Sequence, residues 1–110
     1  MNESSLDGIA WNVAPTGRLD ANTVADFESA LRERIQAGET NLVVDMNDVS
    51  YISSSGLRAL LTARRMAMSH GGDLKLCRLP PRIYKIFEMV GFTQVFGIYD
   101  SVESALSEFM

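Results

Sequence analysis

The chain has 110 residues, of which 46% are hydrophobic and 22% charged, with a formal net charge of −4 at neutral pH. This is the composition of a folded domain with one core, and the length leaves no room for a second. The acidic balance excludes a general nucleic-acid binder, the lone Cys77 excludes an internal disulfide framework, and no apolar run approaches the roughly 20 residues that span a bilayer.

The opening Met1-Asn2-Glu3-Ser4-Ser5 lacks the basic and apolar regions of a secretion signal, so a cytoplasmic protein is expected. Asp7-Gly8 is a hairpin signal joining a short edge strand to a second one. In that second strand Ile9, Trp11 and Val13 alternate with Ala10, Asn12 and Ala14 up to Pro15. Trp11 is a core residue or sheet-face anchor. Asp20 or Asn22 then caps a helix over residues 23–37, in which Val24, Phe27, Leu31 and Ile35 share one face and Gly38 is the stop. Glu28 and Arg32 have the i, i+4 spacing of an ion pair.

Asn41-Leu42-Val43-Val44-Asp45-Met46 is short, β-branched and mostly apolar, as a central strand covered on both faces must be. It leads through Ser53-Ser54-Ser55 into a helix that runs from Ser54 to about His70 and ends at Gly71-Gly72. Leu57, Leu60 and Leu61 fall on one helical face, with Arg58, Thr62, Arg65 and Ser69 opposite. The first N–H groups of a helix have no intrahelical acceptors, so a serine hydroxyl caps them well. The helix dipole also makes this end tolerant of negative charge. A phosphoryl group there would bring roughly −1.5 to −2 charge to an uncharged turn. The residues alone are equally those of a capped turn with no regulatory role. His70 fits a cation at a helix C-terminus, and no Cys/His cluster accompanies it as a metal would require.

Asp73-Leu74-Lys75-Leu76-Cys77-Arg78-Leu79 alternates as a strand, with Cys77 structural. Pro80-Pro81 starts a helix that turns Ile83, Ile86, Phe87 and Val90 inward and stops at Gly91. A last short strand is expected over residues 94–98, and Asp100 or Ser101 caps a final helix with Val102, Ala105, Leu106 and Phe109 facing in. The order is β-β-α-β-α-β-α-β-α. Strands joined by helical crossovers give an α/β fold: one domain over residues 1–110, a mostly parallel, mixed sheet of about four to five strands and about four helices.

No constellation of catalytic residues is present. The turn lacks the first glycine of a Gly-x-Ser-x-Gly elbow. His70 lies at the far end of the helix that Ser54 opens, about 24 Å away. There is no Gly-rich phosphate loop with a lysine and no Gly-x-Gly-x-x-Gly. Asp20, Asp45 and Asp48 either rim the serine turn or serve as caps and loop residues. No cofactor or metal is expected.

The strand Val43-Val44-Asp45-Met46 followed by Val49-Ser50-Tyr51-Ile52-Ser53-Ser54-Ser55-Gly56-Leu57 resembles the signature of the STAS family, the bacterial anti-sigma factor antagonists. In that family a strand leads into Asp-Ser-Ser/Thr-Gly-Leu, and the serine after the aspartate accepts phosphate. Here that acceptor position is Ser54, and Ser53 stands where the family has Asp. Gly17-Arg18-Leu19-Asp20 resembles the family's Gly-Glu-Leu-Asp, and Ile86-Phe87-Glu88-Met89-Val90-Gly91-Phe92 its Leu-Phe-Asp-Met-Ser-Gly-Leu. The resemblance spans nearly the whole chain. It implies a STAS-like fold and partner contacts at Asp20, Ser53, Ser55, Gly56, Leu57 and Arg58. It further implies an anti-sigma factor that is also a serine kinase as partner, a sigma factor released by docking, and a metal-dependent serine phosphatase that resets the switch. A monomer is the simplest state. A STAS scaffold or transporter-accessory module that is never phosphorylated is the alternative, and a small-ligand binder is a third.

Overall fold

The computed structural model describes all 110 residues. The chain runs β1 (Asn2–Leu6), β2 (Ala10–Ala14), β3 (Gly17–Leu19), α1 (Val24–Gln36), β4 (Asn41–Asp45), β5 (Val49–Ile52), α2 (Ser54–Ser69), β6 (Asp73–Cys77), α3 (Pro81–Met89), β7 (Ile98–Tyr99) and α4 (Val102–Ser107), with one 3-10 turn at Phe92–Gln94. Five strands form the main sheet in the order β1-β2-β4-β6-β7. The β1–β2 pair is antiparallel and all the others are parallel. Asp7 and Gly8 both have left-handed φ, 55° and 70°. The Ile9 N–H closes that turn on the Leu6 carbonyl at 2.9 Å, the tight hairpin expected of Asp-Gly.

Each parallel step from β2 to β7 moves one place outward, and right-handed crossovers therefore put α1, α2 and α3 on one face. In register across the sheet, Val13, Val44, Leu76 and Ile98 form a row toward those helices. Phe27, Leu31, Ile35, Leu60, Ile83 and Phe87 meet that row in the main core. The opposite face holds a smaller cluster of Ala10, Val43, Cys77 and Ala105, covered by α4. Burial pushes the Cys77 thiol up to about 12, so it stays protonated.

Five local expectations need correction. Val90, expected inward, is the C-cap of α3 and stands 49% exposed. The last strand is Ile98–Tyr99, not residues 94–98. Phe92 and Phe96 sit four apart, the Phe96 N–H bonds to the Phe92 carbonyl, and both rings pack edge-on against Phe87, which suits a helical turn. Strand β6 stops at Cys77, because Arg78 adopts a left-handed φ of 54°. The N-cap of α1 is Thr23, while Asp20 closes the preceding turn instead. Glu28 and Arg32 form no ion pair; Arg32 reaches the Ser29 hydroxyl. In the last helix Ser101 is the cap, its Oγ accepting from the Ser104 N–H at 3.0 Å.

Candidate functional site

Strands β3 and β5 are too short to have been foreseen, and they build the site. They pair in parallel as a separate two-stranded ribbon beyond the main sheet, Leu19 opposite Ile52 and Arg18 opposite Tyr51. The ribbon fastens the Asp20 loop to the serine turn. The Gly17 N–H donates to the Asp48 carbonyl at 2.8 Å, and the Ser53 N–H to the Leu19 carbonyl at 2.9 Å. Asp20, Ser53 and Gly56 thereby come to one corner of the molecule.

At that corner the three serines have different tasks. Ser53 is the N-cap of α2, in extended backbone, with Oγ accepting from the Gly56 N–H at 3.4 Å. Ser and Asp are both good caps, so Ser53 keeps the structural half of an aspartate's work without its charge. Ser54 is the first helical residue; it is exposed, and its hydroxyl is committed to no bond within the protein. Ser55 is half-buried. Gly56 is buried because the helix meets the ribbon there. A Cβ at this position would lie 2.7 Å from Ile52 Cγ1 and 2.8 Å from the Leu19 carbonyl oxygen. Leu57 packs against the main core, and Arg58 points to solvent. The first turn of α2 carries no acidic side chain. The positive end of its dipole is therefore unopposed.

The three aspartates do not form a free acidic rim. Asp45 is buried, accepts from Arg78 through both oxygens, the Nε contact being 3.0 Å, and also takes the Asn47 N–H. Asp48 accepts from the Asn47 amide. Asp20 binds Arg18 Nε at 3.0 Å and the Asn22 N–H at 3.0 Å. That guanidinium, with the Asn22 N–H, holds the Asp20 carboxyl below its ordinary value of 3.8. Arg18 also stacks on Tyr51, 4.3 Å from the ring centre, which gives the corner a platform not singled out from the sequence. Register on β3 and β5 was its only signal, and neither strand is long enough to read.

A serine nucleophile needs a base within hydrogen-bond reach. The sole histidine caps the other end of α2, its Nδ1 2.9 Å from the Met66 carbonyl oxygen. No group of three or more His, Cys, Asp or Glu side chains could hold a metal ion, and no helix is long and apolar enough to cross a membrane. A cleft at the carboxyl edge of the sheet is lined by Asn47, Arg78, Tyr84, Tyr99 and Asp100. Its one guanidinium is already paired with Asp45.

Fold and site together define a class: a small α/β domain with a mostly parallel, mixed sheet and an exposed strand–serine turn–helix corner. The STAS domain model matches residues 7–105, and the chain belongs to that family. It is 32% identical over 93 residues to BtrV of Bordetella bronchiseptica, provisionally named an anti-sigma factor antagonist; the match covers 84% of this chain and 80% of that protein. It is 27% identical over 94 residues to the anti-sigma F factor antagonist of Paenibacillus polymyxa, covering 84% and 80%. The fold is that of the Bacillus cell fate determinant SpoIIAA, solved in its phosphorylated form. The TM-score is 0.77 at 19% identity, over 99% of this chain and 98% of that one. These relatives are named for regulation rather than for catalysis.

Proposed function

We propose that this protein is an anti-sigma factor antagonist. Unmodified, it docks an anti-sigma factor that is also a serine kinase, through the serine turn, the start of α2 and the Asp20 loop, with Asp20, Ser53, Ser55, Gly56, Leu57 and Arg58 in contact. Docking frees a sigma factor. Phosphorylation of Ser54 ends the contact, and a serine phosphatase restores it.

The observation that carries this reading is the division of labour in the turn. Ser53 caps and Gly56 anchors, which leaves Ser54 exposed with an uncommitted hydroxyl on the dipole-positive end of a 16-residue helix. A phosphoryl group is tolerated there by the free protein. The same charge enclosed at an interface without a partner costs several kcal/mol, and each 1.4 kcal/mol or so is tenfold in affinity. One site can thus be harmless to the fold and decisive for the complex.

Intact-mass analysis of protein isolated from its native cells, with peptide mapping of Ser53, Ser54 and Ser55, tests the reading. One phosphate on Ser54, absent from Ser54→Ala, is expected, with Ser54→Asp losing the anti-sigma factor that Ser54→Ala retains. No phosphate under any growth condition, together with normal function of Ser54→Ala cells, would overturn the switch. The serines would then be caps of a scaffold or transporter-accessory module.

A further inference from the structure

The cleft at the carboxyl edge of the sheet takes none of its lining from the serine turn, α1 or α2. It lies where β4, β6 and β7 end, outside the carboxyl ends of parallel strands, which is where open α/β sheets hold small ligands. Its volume is about 660 Å³, the largest of the four surface hollows and within the roughly 300–1,000 Å³ of small-molecule sites. The walls are preformed. The Arg78 N–H ties one to the other through the Tyr99 carbonyl at 2.9 Å, and Pro80 and Pro81 leave the entry to α3 little freedom. Arg78 is held with a left-handed φ of 54°, a conformation that costs a side chain with a Cβ and that the Asp45 clamp maintains.

The lining selects a kind of ligand. Leu79, Pro80, Pro81 and Ile98 supply apolar surface, and Tyr84 and Tyr99 supply rings, that of Tyr84 being 40% exposed. Arg78 spends Nε and Nη2 on Asp45 and keeps Nη1 as a donor, with 43% of its side chain exposed. Asn47 gives its Nδ2 to Asp48 and keeps Oδ1 as an acceptor. Asp100 is exposed and has no ion-pair partner. An anionic ligand would meet the Asp100 carboxylate, with the one guanidinium already engaged from behind by Asp45. A cationic ligand would meet that guanidinium. Hydroxyl groups both donate and accept, so a neutral ligand that carries several of them satisfies Arg78, Asn47 and Asp100 together. The C–H face of a saturated ring suits the tyrosine rings and the prolines.

We propose that this cleft binds a neutral, polyhydroxylated small molecule of one or two rings, a mono- or disaccharide in chemical class. Tyr84 and Tyr99 take the ring, Arg78 donates to one of its oxygens, and Asn47 and Asp100 accept from its hydroxyls. The site shares no residue with the partner contacts proposed above, so the two stand or fall separately.

The test is an amide NMR titration of the whole protein with glucose, galactose, mannose, myo-inositol and maltose. The amino sugar and the uronic acid of each hexose serve as its cationic and anionic counterparts. At least one neutral compound is expected to shift the amides of Asn47, Arg78, Tyr84, Tyr99 and Asp100 saturably, with a dissociation constant on the order of millimolar, the scale a single ring reaches. Its two charged counterparts should bind at least about fivefold more weakly. Tyr84→Ala, checked for folding by circular dichroism, should lose at least about tenfold in affinity. Asp100→Asn should narrow the gap between the neutral sugar and its uronic acid, a ratio that a loss of folding would leave unchanged. Shifts that grow linearly with every compound, tighter binding of either charged counterpart, saturable shifts confined to the serine turn, or full affinity in Tyr84→Ala would overturn the proposal.

Discussion

Two strand-to-helix turns lie at the carboxyl edge of this domain, and they are built oppositely. From β6 into α3 the chain is locked. Arg78 holds a left-handed φ of 54°, its side chain is bound to buried Asp45, and its N–H donates to the Tyr99 carbonyl at 2.9 Å. Two prolines follow and fix the entry to the helix. From β5 into α2 there is one connecting residue, Ser53, no charge, and an exposed hydroxyl just beyond it. The first turn has spent its charges on itself, and a ligand finds nothing there to neutralise. The second has no charge in the turn itself, so a single added group sets the sign at the head of α2.

The contrast breaks most severely at Gly56. Gly56→Val must push Ile52 and the Leu19 backbone apart, and a loss of about 3 kcal/mol in denaturant titration is expected. Asp45→Ala removes the acceptor that holds Arg78 and should cost about 2 kcal/mol, with amide shifts centred on Arg78–Pro81 rather than on the serine turn. Ser53→Ala takes away the α2 cap for about 1 kcal/mol, whereas Ser53→Asp keeps the cap and should stay within about 0.5 kcal/mol of wild type. A Ser53→Asp protein as unstable as Ser53→Ala would show that the hydroxyl is not acting as a cap. The smallest effect is at Asp20. Its carboxyl is depressed in the folded state, so the stability it adds is complete above the ordinary value of 3.8 and fades as pH falls below it. The difference between wild type and Asp20→Asn, followed by thermal melts across the acid range, should vanish at the low end.

Much of this was legible because local chemistry and fold agree. Asp7-Gly8 demands a tight hairpin, and the periodicity of Phe27, Leu31 and Ile35 leaves α1 one face to bury. The serine turn stood out as a polar run between an apolar strand and an amphipathic helix. What escaped depended on partners distant in sequence. Val49-Ser50-Tyr51-Ile52 buries only its ends, a pattern without strand alternation, and it becomes a strand because Gly17–Leu19 lies alongside. The Asp45–Arg78 clamp joins residues 33 apart, so nothing local marked the two charges as partners. Residues 94–98 read as a strand by their β-prone composition, but the packing of the Phe92 and Phe96 rings on Phe87 holds the start of that stretch in a helical turn and leaves only Ile98–Tyr99 to the sheet.

Cys77, the last residue of β6, has 0% of its surface exposed and is the only thiol in the chain. Locked between the sheet and α4, it is protonated and out of reach of alkylating reagents until the domain opens. The chain therefore carries its own clock for opening. The rate at which the thiol is labelled under native conditions counts the excursions that expose the α4 side of the sheet, with no probe introduced by mutation.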